Sequence, residues 1–475
     1  MNTAKSENSE SRRIILLRGK NLEVLLGFDG TFWNLPVAQI PRWKRPAEHL
    51  TAALRATCGI DAISLSSLGT LSGESVSNQI RYEIMESCGP RDEAPGGKQW
   101  VATDTLVASD FRDPQDCHAV LQALAELIAL AEATTRTPFG RLGWFRNLQQ
   151  WVQEEIGIHG LQLNGRFRQV NACPTFSLIR FETDGPAVWF KAAGVPNERE
   201  YRLTLAIARS FSRFLPQIIA TRPECNGWLA REAEGPLLSQ CSALASWETA
   251  AADLAQLQIC SLGSLDLLES GARDLSTGAL GVLVEPFLEA MGEVMDRQTD
   301  LTLARLSREQ MRILSLRVQE DLSFLEKTSI PETLGHMDFN PGNIVCSPSG
   351  SVFLDWAEAF VGHPFLTFEY LLEHFRRTFG QGSSYETQLV ARYVSPWREL
   401  VSERDIQSAL EVMPLLAVFA CAAGNDRWTS PQKLEEPSTE AYLRSLTRRM
   451  EREACRLPER SEYAQVDRSP AALSD

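Results

Sequence analysis

The sequence has fewer positive than negative charges, and the apolar run near its amino end is too short for a signal or a membrane span. Its 475 residues contain 47 Lys and Arg against 61 Asp and Glu, which gives a formal charge of −14. This shortage of cations disfavours nucleic acid or an anionic membrane as the main partner, because both bind basic surfaces. A cationic substrate would suit the charge, although a negative balance can also serve only to keep a protein soluble.

Targeting signals and paired cysteine motifs are also missing. The apolar run from Ile14 to Leu17 is far shorter than a secretory h-region or a membrane span. None of the ten cysteines forms a C-x-x-C pair or lies near a histidine at zinc-site spacing. We therefore expect a cytoplasmic protein without a membrane segment, whose cysteines are reduced thiols in its cores.

The length exceeds what one hydrophobic core organises, while 44% hydrophobic and 23% charged residues are typical of a globular protein. Strand and helix signals alternate in the first hundred or so residues, two amphipathic helices follow, and strand patterns then give way to helical ones. The predicted segments are an α/β domain over 12–112, a helical connector over 113–160, a small lobe over 161–235, a helical large lobe over 236–457 and a disordered tail over 458–475.

One stretch in the predicted large lobe concentrates oxygen-bearing side chains. It reads His336-Met337-Asp338-Phe339-Asn340-Pro341-Gly342-Asn343, and Asp355 follows at the end of an apolar strand. Phosphoryl transfer from a nucleotide needs oxygen ligands for Mg²⁺ and a carboxylate that accepts the proton of the attacking hydroxyl. Asp338, Asn343 and Asp355 are such groups. An ordinary turn is the alternative for the Asn-Pro-Gly part, but the strand-terminal acid favours a functional site.

This stretch resembles the aminoglycoside phosphotransferase and choline kinase-like family, which writes it as H-G-D-x-x-x-x-N, then I-D-W and G-D-P. The resemblance covers roughly 144–457. It implies an α+β fold, bilobal and protein-kinase-like, with ATP and Mg²⁺ as cofactors. Asp338 would be the catalytic base, Asn343 and Asp355 the metal ligands, and His336 a brace of the catalytic loop. His363 replaces the Asp of G-D-P, and Phe368-Glu369 replaces Asp-Leu, which alters the support of that loop.

By the same resemblance, the small lobe supplies a strand lysine for the α/β-phosphates and a helix glutamate that orients it. Lys191, at the end of an apolar strand, is the predicted lysine, and an edge lysine in water is the alternative. Glu200 is its predicted partner and Glu198 the rival, although either could be only a favourable acid at a helix start. The phosphate-covering backbone would run from Asn171 to Thr175, and the adenine-binding hinge from Leu229 to Ala233, including Arg231.

The amino-terminal segment resembles the Nudix hydrolases, whose box is G-x5-E-x7-R-E-U-x-E-E-x-G-U. The resemblance rests on Trp33-Asn34-Leu35-Pro36 and on a helix that ends at Gly59-Ile60. Alignment on Gly59 and Ile60 puts Lys44, Ala52-Ala53 and Ala56-Thr57 where the box has its charged residues. Without those carboxylates the domain cannot hold Mg²⁺ against a diphosphate, so we predict no hydrolysis. A plain α/β domain is the alternative; a degenerate Nudix-like domain would be a scaffold, a sensor or a dimerisation surface.

These features together predict an ATP- and Mg²⁺-dependent phosphotransferase that moves a γ-phosphate to the hydroxyl of a small molecule. Helix acids such as Glu369, Glu373 and Asp426 would bind the acceptor if it is an amine, although acids on helices are usually only solvated. The alternative function is a non-catalytic nucleotide- or metabolite-binding regulator on the same fold. A protein kinase is disfavoured, because no D-F-G and no A-P-E segment follows Asp355.

Overall fold

The computed structural model describes residues 9–19, 22–42, 45–67, 80–89, 94, 96–132, 138–173, 176–195, 197–264, 266–300, 302–425 and 427–456. The predicted tail over 458–475, Lys44, Thr175 and Asp426 lie outside these described residues. The fold is α+β, as predicted, and the chain divides into two compact units. One unit comprises residues 1–202 and 216–232, and the other comprises residues 203–215 and 233–475.

The first unit begins with a seven-stranded mixed sheet. Its strands are β1 (Ser9–Arg18), β2 (Glu23–Phe28), β3 (Trp33–Asn34), β4 (Val37–Pro41), β5 (Ala62–Ser67), β6 (Arg81–Ser87) and β7 (Lys98–Ala102). The order is β3-β2-β1-β6-β5, β4 also pairs with β1, and β7 also pairs with β2. Strands β1 and β6 run parallel, and the other pairs are antiparallel.

Both faces of this sheet are covered, and successive apolar side chains of β1 point alternately to one face and the other. Ile14 and Leu16 point into a core with helix α1 (Pro46–Cys58), while Ile15 and Leu17 point into the core on the opposite side. Helix α1 starts with proline and ends at Gly59, whose φ of 66° is the left-handed conformation that glycine adopts readily. The predicted end of this helix is confirmed.

The second core continues into the rest of the first unit. Helices α2 (Pro114–Glu132) and α3 (Trp144–Gly157) precede an antiparallel five-stranded sheet of order β11-β12-β10-β9-β8. One buried cluster includes Ile15 of β1, Val120 of α2, Phe145 of α3 and Phe181 of the five-stranded sheet. The predicted α/β domain, connector and small lobe thus share a core. The strands are β8 (Leu163–Cys173), β9 (Phe176–Thr183), β10 (Val188–Ala193), β11 (Ile218–Arg222) and β12 (Gly227–Arg231).

Helix α4 (Arg199–Ser210) leads from the first unit into the second, which is mainly helical. The second unit also holds a three-stranded sheet of order β13-β17-β14 and the hairpin of β15 and β16. The strands are β13 (Arg273–Leu275), β14 (Thr333–His336), β15 (Ile344–Ser347), β16 (Gly350–Phe353) and β17 (Ala359–Gly362). The helices are α5 (Leu244–Cys260), α6 (Asp266–Glu269), α7 (Thr277–Asp296), α8 (Arg308–Leu325), α9 (Phe365–Phe379), α10 (Ser384–Val394), α11 (Glu403–Ala423), α12 (Pro431–Leu434) and α13 (Pro437–Arg456).

Helix α11 is long and apolar enough to cross a membrane, and within the described residues it is the one helix that is. Its most apolar window has a mean hydropathy of 1.7, and 61% of that window is buried inside the structure. The helix packs against α7, α8, α9 and α13. A buried core helix has the same length and composition as a membrane span, so this feature is weak evidence for a membrane.

The prediction that the cysteines lie in the cores is wrong in part. All ten are free thiols, but Cys58, Cys117 and Cys225 alone are buried. Cys260 and Cys455 are exposed, and the other five are partly exposed. Both exposed cysteines sit at or near a helix end, where hydrophobic periodicity does not fix whether a side chain faces the core.

The close approach of β14 and β17 gives a stability prediction. A side chain at Gly335 of β14 would overlap the ring of Phe360 on β17, and this ring is fully buried. We expect Gly335→Ala to lower the free energy of unfolding by about 1–3 kcal/mol through overpacking. Urea denaturation would measure the change. The matched control is Gly281→Ala in α7, where nothing lies within 4 Å; it should be neutral or stabilising by about 0.5–1 kcal/mol. A Gly335→Ala protein as stable as this control would contradict the prediction.

Candidate active site

Asp338 lies in the loop between β14 and β15, and two asparagine side chains hold its carboxylate. Oδ1 accepts a hydrogen bond from Asn340 Nδ2 at 2.9 Å, and Oδ2 accepts one from Asn343 Nδ2 at 3.1 Å. The loop itself is a tight turn, because Asn340 Oδ1 accepts the backbone N–H of Gly342 at 2.8 Å. The loop is thus an ordinary turn whose turn-forming residues also orient the Asp338 carboxylate.

His336 braces this loop from beneath. It is 1% exposed, and its Nδ1 accepts the backbone N–H of Asp338 at 3.2 Å. Since Nδ1 accepts, Nε2 carries the proton and donates to the backbone oxygen of Leu354 at 3.0 Å. Burial lowers the pKa of His336 below its ordinary value, which keeps the ring neutral and this tautomer in place. The ring thus ties the loop to the residue before Asp355.

Asp355 follows β16 in a strained backbone conformation. Its φ of 64° and ψ of 64° are left-handed, and among the described residues only two others that are not glycine, Leu22 and Asn226, have a positive φ. The backbone N–H of Leu354 donates to the backbone oxygen of Asn343 at 2.8 Å, which joins this segment to the catalytic loop. Strain of this kind in a tightly held segment points to a functional position.

The oxygen donors present here fit a Mg²⁺ ion that arrives with a nucleotide. The amide nitrogen of Asn343 is engaged by Asp338, so its amide oxygen is the group it can offer to a cation. Asp355 adds a carboxylate. Mg²⁺ is commonly held by one or two protein oxygens together with substrate phosphates. Within the part of the chain that the structure describes, no group of three His, Cys, Asp or Glu could enclose a metal alone.

Lys191 and Glu200 form a buried ion pair in the first unit. Lys191 lies on β10, between β9 and β12, and its ammonium contacts the Glu200 carboxylate in the first turn of α4. The side chains are 11% and 2% exposed. The ammonium also lies 5.2 Å from the ring centre of Phe176 and 5.8 Å from that of Trp228. An edge lysine in water is thereby excluded, and Glu200 rather than Glu198 is the partner.

The other predicted nucleotide contacts are those of the phosphate-covering backbone and of the adenine-binding hinge, and the structure describes them only in part. Asn171 lies on β8 where its register with β9 shifts, and the residues beyond Cys173 that would complete the loop lie outside the described ranges. Arg231 ends β12 and donates its backbone N–H to the oxygen of Gln217 at 2.9 Å, so that N–H is not available to a base. Ala233 is half-buried and lies two residues beyond the end of this strand. Of the predicted hinge, Ala233 is the better candidate for a backbone contact.

No family model matches this sequence, and no curated protein matches it. Similar solved structures do exist. The choline kinase from Cryptosporidium parvum is 12% identical over 66% of this chain and 96% of its own, with a TM-score of 0.46. An ADP-bound aminoglycoside phosphotransferase, APH(2'')-Ib, is 14% identical over 65% and 98%, with a TM-score of 0.45. The choline kinase LicA from Streptococcus pneumoniae is 13% identical over 64% and 99%, with a TM-score of 0.42. Two of the three are named as choline kinases and one as an aminoglycoside phosphotransferase.

Tyr370 is a neighbour of Asp338 that the sequence did not reveal. Its hydroxyl lies 3.4 Å from Asp338 Oδ1, and its ring lies 5.2 Å from the ring of His374. Burial, and then the charge of Asp338, raise the pKa of Tyr370 to about 12. The phenol therefore stays protonated and can donate toward the carboxylate. Tyr370 belongs to α9, far along the chain from Asp338, and no local motif marks it.

The residues that differ from the motifs named above, His363 and Phe368-Glu369, lie just before α9 and on it. His363 Nδ1 accepts the backbone N–H of Phe365 at 3.2 Å, so a neutral imidazole caps the start of the helix. Thr367 supports the catalytic loop directly, because its hydroxyl accepts the backbone N–H of His336 at 2.9 Å. Glu369 turns away into a pair with Arg376 at 2.6 Å. The loop therefore keeps a support from this helix, through Thr367.

The buried His363 makes a pH-dependent contribution to stability. Burial lowers its pKa to about 3 from 6.5, so between these values the unfolded chain binds a proton that the folded chain does not. Its contribution is present above about pH 6.5 and is lost as the pH falls toward 3, at up to about 1.4 kcal/mol per pH unit. We expect His363→Gln to flatten the decline in unfolding free energy between about pH 7 and about pH 5. Urea titrations with the exposed His118→Gln as control would test this, and identical slopes for both variants would contradict it.

Proposed function

We propose that the protein is an ATP- and Mg²⁺-dependent phosphotransferase that moves the γ-phosphate to a hydroxyl of a small molecule. The observation that carries the proposal is the linked set of Asp338, Asn343 and Asp355. Asn343 donates its side-chain amide to the Asp338 carboxylate and accepts, on its backbone oxygen, the N–H of Leu354. These bonds link the proposed base, Asp338, to the proposed metal ligand Asn343, and they link Asn343 to the residue that precedes the second proposed ligand, Asp355.

In the proposed reaction Asp338 orients the acceptor hydroxyl and takes its proton. The hydroxyl oxygen attacks the γ-phosphorus, the bond to the β-phosphate oxygen breaks, and ADP leaves with that electron pair. The two amides on Asp338 donate to it and leave further lone pairs for the incoming proton. When bound by Asn343 and Asp355, Mg²⁺ would neutralise charge on the phosphates. Lys191, held by Glu200, would contact the α/β-phosphates.

We further propose that the amino-terminal domain does not hydrolyse nucleotides. On α1, the positions where the Nudix box carries Arg-Glu and Glu-Glu are Ala52-Ala53 and Ala56-Thr57. Methyl and hydroxyl groups do not replace carboxylates as Mg²⁺ ligands. A scaffold role fits the buried core that this domain shares with the five-stranded sheet.

A thermal-shift assay with ATP, with and without Mg²⁺, tests the proposal on the full chain. We expect a Mg²⁺-dependent rise in Tm for the wild type, a loss of most of that rise in Asp355→Asn, and no change in the exposed control Glu320→Gln. No Mg²⁺-dependent shift in the wild type would overturn both the kinase and the nucleotide-binding regulator. If the shift is observed, a screen of hydroxylated compounds separates the two functions. An ATP-dependent gain in the mass of one compound would favour the enzyme over the regulator.

A further inference from the structure

A pocket in the second unit adjoins the catalytic loop. Its volume is about 380 Å³, and its wall includes Asn340 and Gly342 of the loop, Trp247 of α5, and His374 and Arg377 of α9. Asn340 is also the residue that holds Asp338 Oδ1. A molecule in this pocket would therefore lie one side chain away from the proposed base.

The charged groups around this pocket are not those an amine would need. Arg377 is its one charged lining residue within the described chain, and no Asp or Glu lines it. The pKa of His374 is lowered, first by burial and then by Arg377, so its ring is a neutral hydrogen-bonding group. The pocket offers a guanidinium and an imidazole to a ligand.

The two described acids of α9 are occupied by arginines. Glu369 is 4% exposed and pairs with Arg376 at 2.6 Å. Glu373 contacts Arg449 and lies 3.7 Å from Arg377. The carboxylate of Glu373, which does not line the pocket, thus contacts two guanidiniums and offers no unpaired negative charge to a ligand. Neither acid is available for the amine-binding role that the sequence suggested.

We propose that this pocket binds the acceptor and that the acceptor carries an anionic group, a carboxylate or a phosphate, which pairs with Arg377. The proposal rests on the phosphotransferase function above. A planar guanidinium pairs well with either kind of anion, and an ammonium group would meet repulsion at the same place. The hydroxyl of such an acceptor would be directed past Asn340 toward Asp338.

A hexose series that changes one substituent provides the test. Glucuronate carries a carboxylate, glucose 6-phosphate a phosphate, glucose no charge and glucosamine an ammonium group. We expect the two anions to raise Tm without nucleotide and to be phosphorylated with ATP and Mg²⁺, and their comparison separates carboxylate from phosphate. Arg377→Gln should raise KM for the better anion by about tenfold with little change in kcat. Arg377→Lys should recover part of the affinity that is lost. The control Arg312→Gln on α8 should leave KM unchanged.

Three results would overturn the proposal that the acceptor is anionic. They are binding of glucosamine alone, binding of none of the four compounds, and an unchanged KM in Arg377→Gln. The nucleotide-free Tm shift keeps this failure separate from a failure of the proposed function. If the anions bind but no member gains a phosphate, and Mg²⁺-ATP gives no Tm shift, the phosphotransferase proposal fails while the anion site stands.

A second inference has an independent basis in strand β8. Gln169 is 1% exposed, and its side-chain amide pairs with the backbone of Ser64 on β5. Oε1 accepts the N–H of Ser64 at 2.7 Å, and Nε2 donates to the oxygen of Ser64 at 3.0 Å. The side-chain amide of Gln169 thus makes the two hydrogen bonds that the backbone of a neighbouring strand would make with Ser64. Both β5 and β8 have a register irregularity at this point.

Further contacts tie the same strand to the amino-terminal domain. Arg168 of β8 lies 3.5 Å from Glu48 of α1, and α1 packs along β8. Beyond Gln169, β8 continues through Asn171 to Cys173 and forms a hairpin with β9, whose described part includes Asn171, the proposed phosphate contact. We infer that the amino-terminal domain positions this hairpin, with Gln169 as the positioning residue. The inference rests on the proposed nucleotide site.

Comparison of two glutamines that bond backbone groups tests this role. Gln153 of α3 accepts the N–H of Leu163 at 2.9 Å, at the other end of β8. We expect Gln169→Met to raise KM for ATP by about five- to tenfold with a smaller change in kcat and to reduce the Mg²⁺-ATP shift in Tm. Gln153→Met should lower Tm but leave KM for ATP unchanged. Equal KM values in the two variants would overturn the positioning role, whereas a wild type that binds no Mg²⁺-ATP would instead overturn the nucleotide site.

Discussion

Replacement of Asp338 by asparagine is expected to reduce kcat by about 10²–10⁴-fold while the protein stays folded. The variant keeps the shape of the side chain but cannot take the proton of the acceptor hydroxyl. Asp338 is only partly buried, and the amide oxygen of the variant can accept from either Asn340 or Asn343, whereas the other donor then faces an amide nitrogen. We therefore expect the free energy of unfolding to fall by about 0.5–1.5 kcal/mol, the net contribution of one hydrogen bond. Steady-state kinetics together with urea denaturation would measure both quantities.

Two comparisons make this result specific to the base. Glu320→Gln removes an exposed carboxylate from α8 and should leave kcat unchanged. Asp355→Asn should weaken the Mg²⁺ dependence of nucleotide binding, whereas Asp338→Asn should bind Mg²⁺-ATP nearly as well as the wild type. Turnover that persists in Asp338→Asn would remove Asp338 as the base.

The second large effect is expected from the ion pair of Lys191 and Glu200. Lys191→Met leaves the 2% exposed Glu200 side chain without that cation, and loss of one partner of a buried pair costs roughly 3–5 kcal/mol. The double variant Lys191→Met with Glu200→Gln removes both charges and should recover to within about 1 kcal/mol of the wild type. Chemical denaturation of the two variants would show this recovery.

Activity should not recover with stability. Both variants lack the cation proposed for the α/β-phosphates, so KM for ATP should rise by about tenfold or more in each. The exposed pair of Arg312 and Glu309 is a control, since its removal should change stability by less than about 1 kcal/mol and leave KM unchanged. A double variant with normal KM for ATP would show that Lys191 serves only the fold.

The parts of the loop geometry that the sequence indicated depend on contacts close along the chain. Within the loop, Asn340 caps the turn and both Asn340 and Asn343 bond the carboxylate of Asp338. The end of α1 at Gly59 is local in the same sense. Such contacts follow from backbone dihedrals that a few residue types prefer, so the pattern of letters is sufficient to place them.

Contacts between distant segments were not predictable in this way. The hydroxyl of Tyr370 near Asp338, the imidazole cap of His363 on α9 and the pairing of Gln169 with Ser64 each depend on how elements pack. Whether Glu198 or Glu200 pairs with Lys191 depends on how α4 is oriented against β10. Glu200, in the first turn of the helix, is buried beside Lys191.

The sequence by itself determined which side chains the proposed function can use: a carboxylate, an amide and a second carboxylate in a turn and hairpin, and a lysine on an apolar strand. The tertiary structure alone decided what surrounds them. Glu369 and Glu373 are acids in the sequence, yet arginines hold both of them, and the pocket beside Asn340 presents Arg377. The reason is physical, since the charge available to a ligand depends on which partners lie within contact distance, and packing sets those distances.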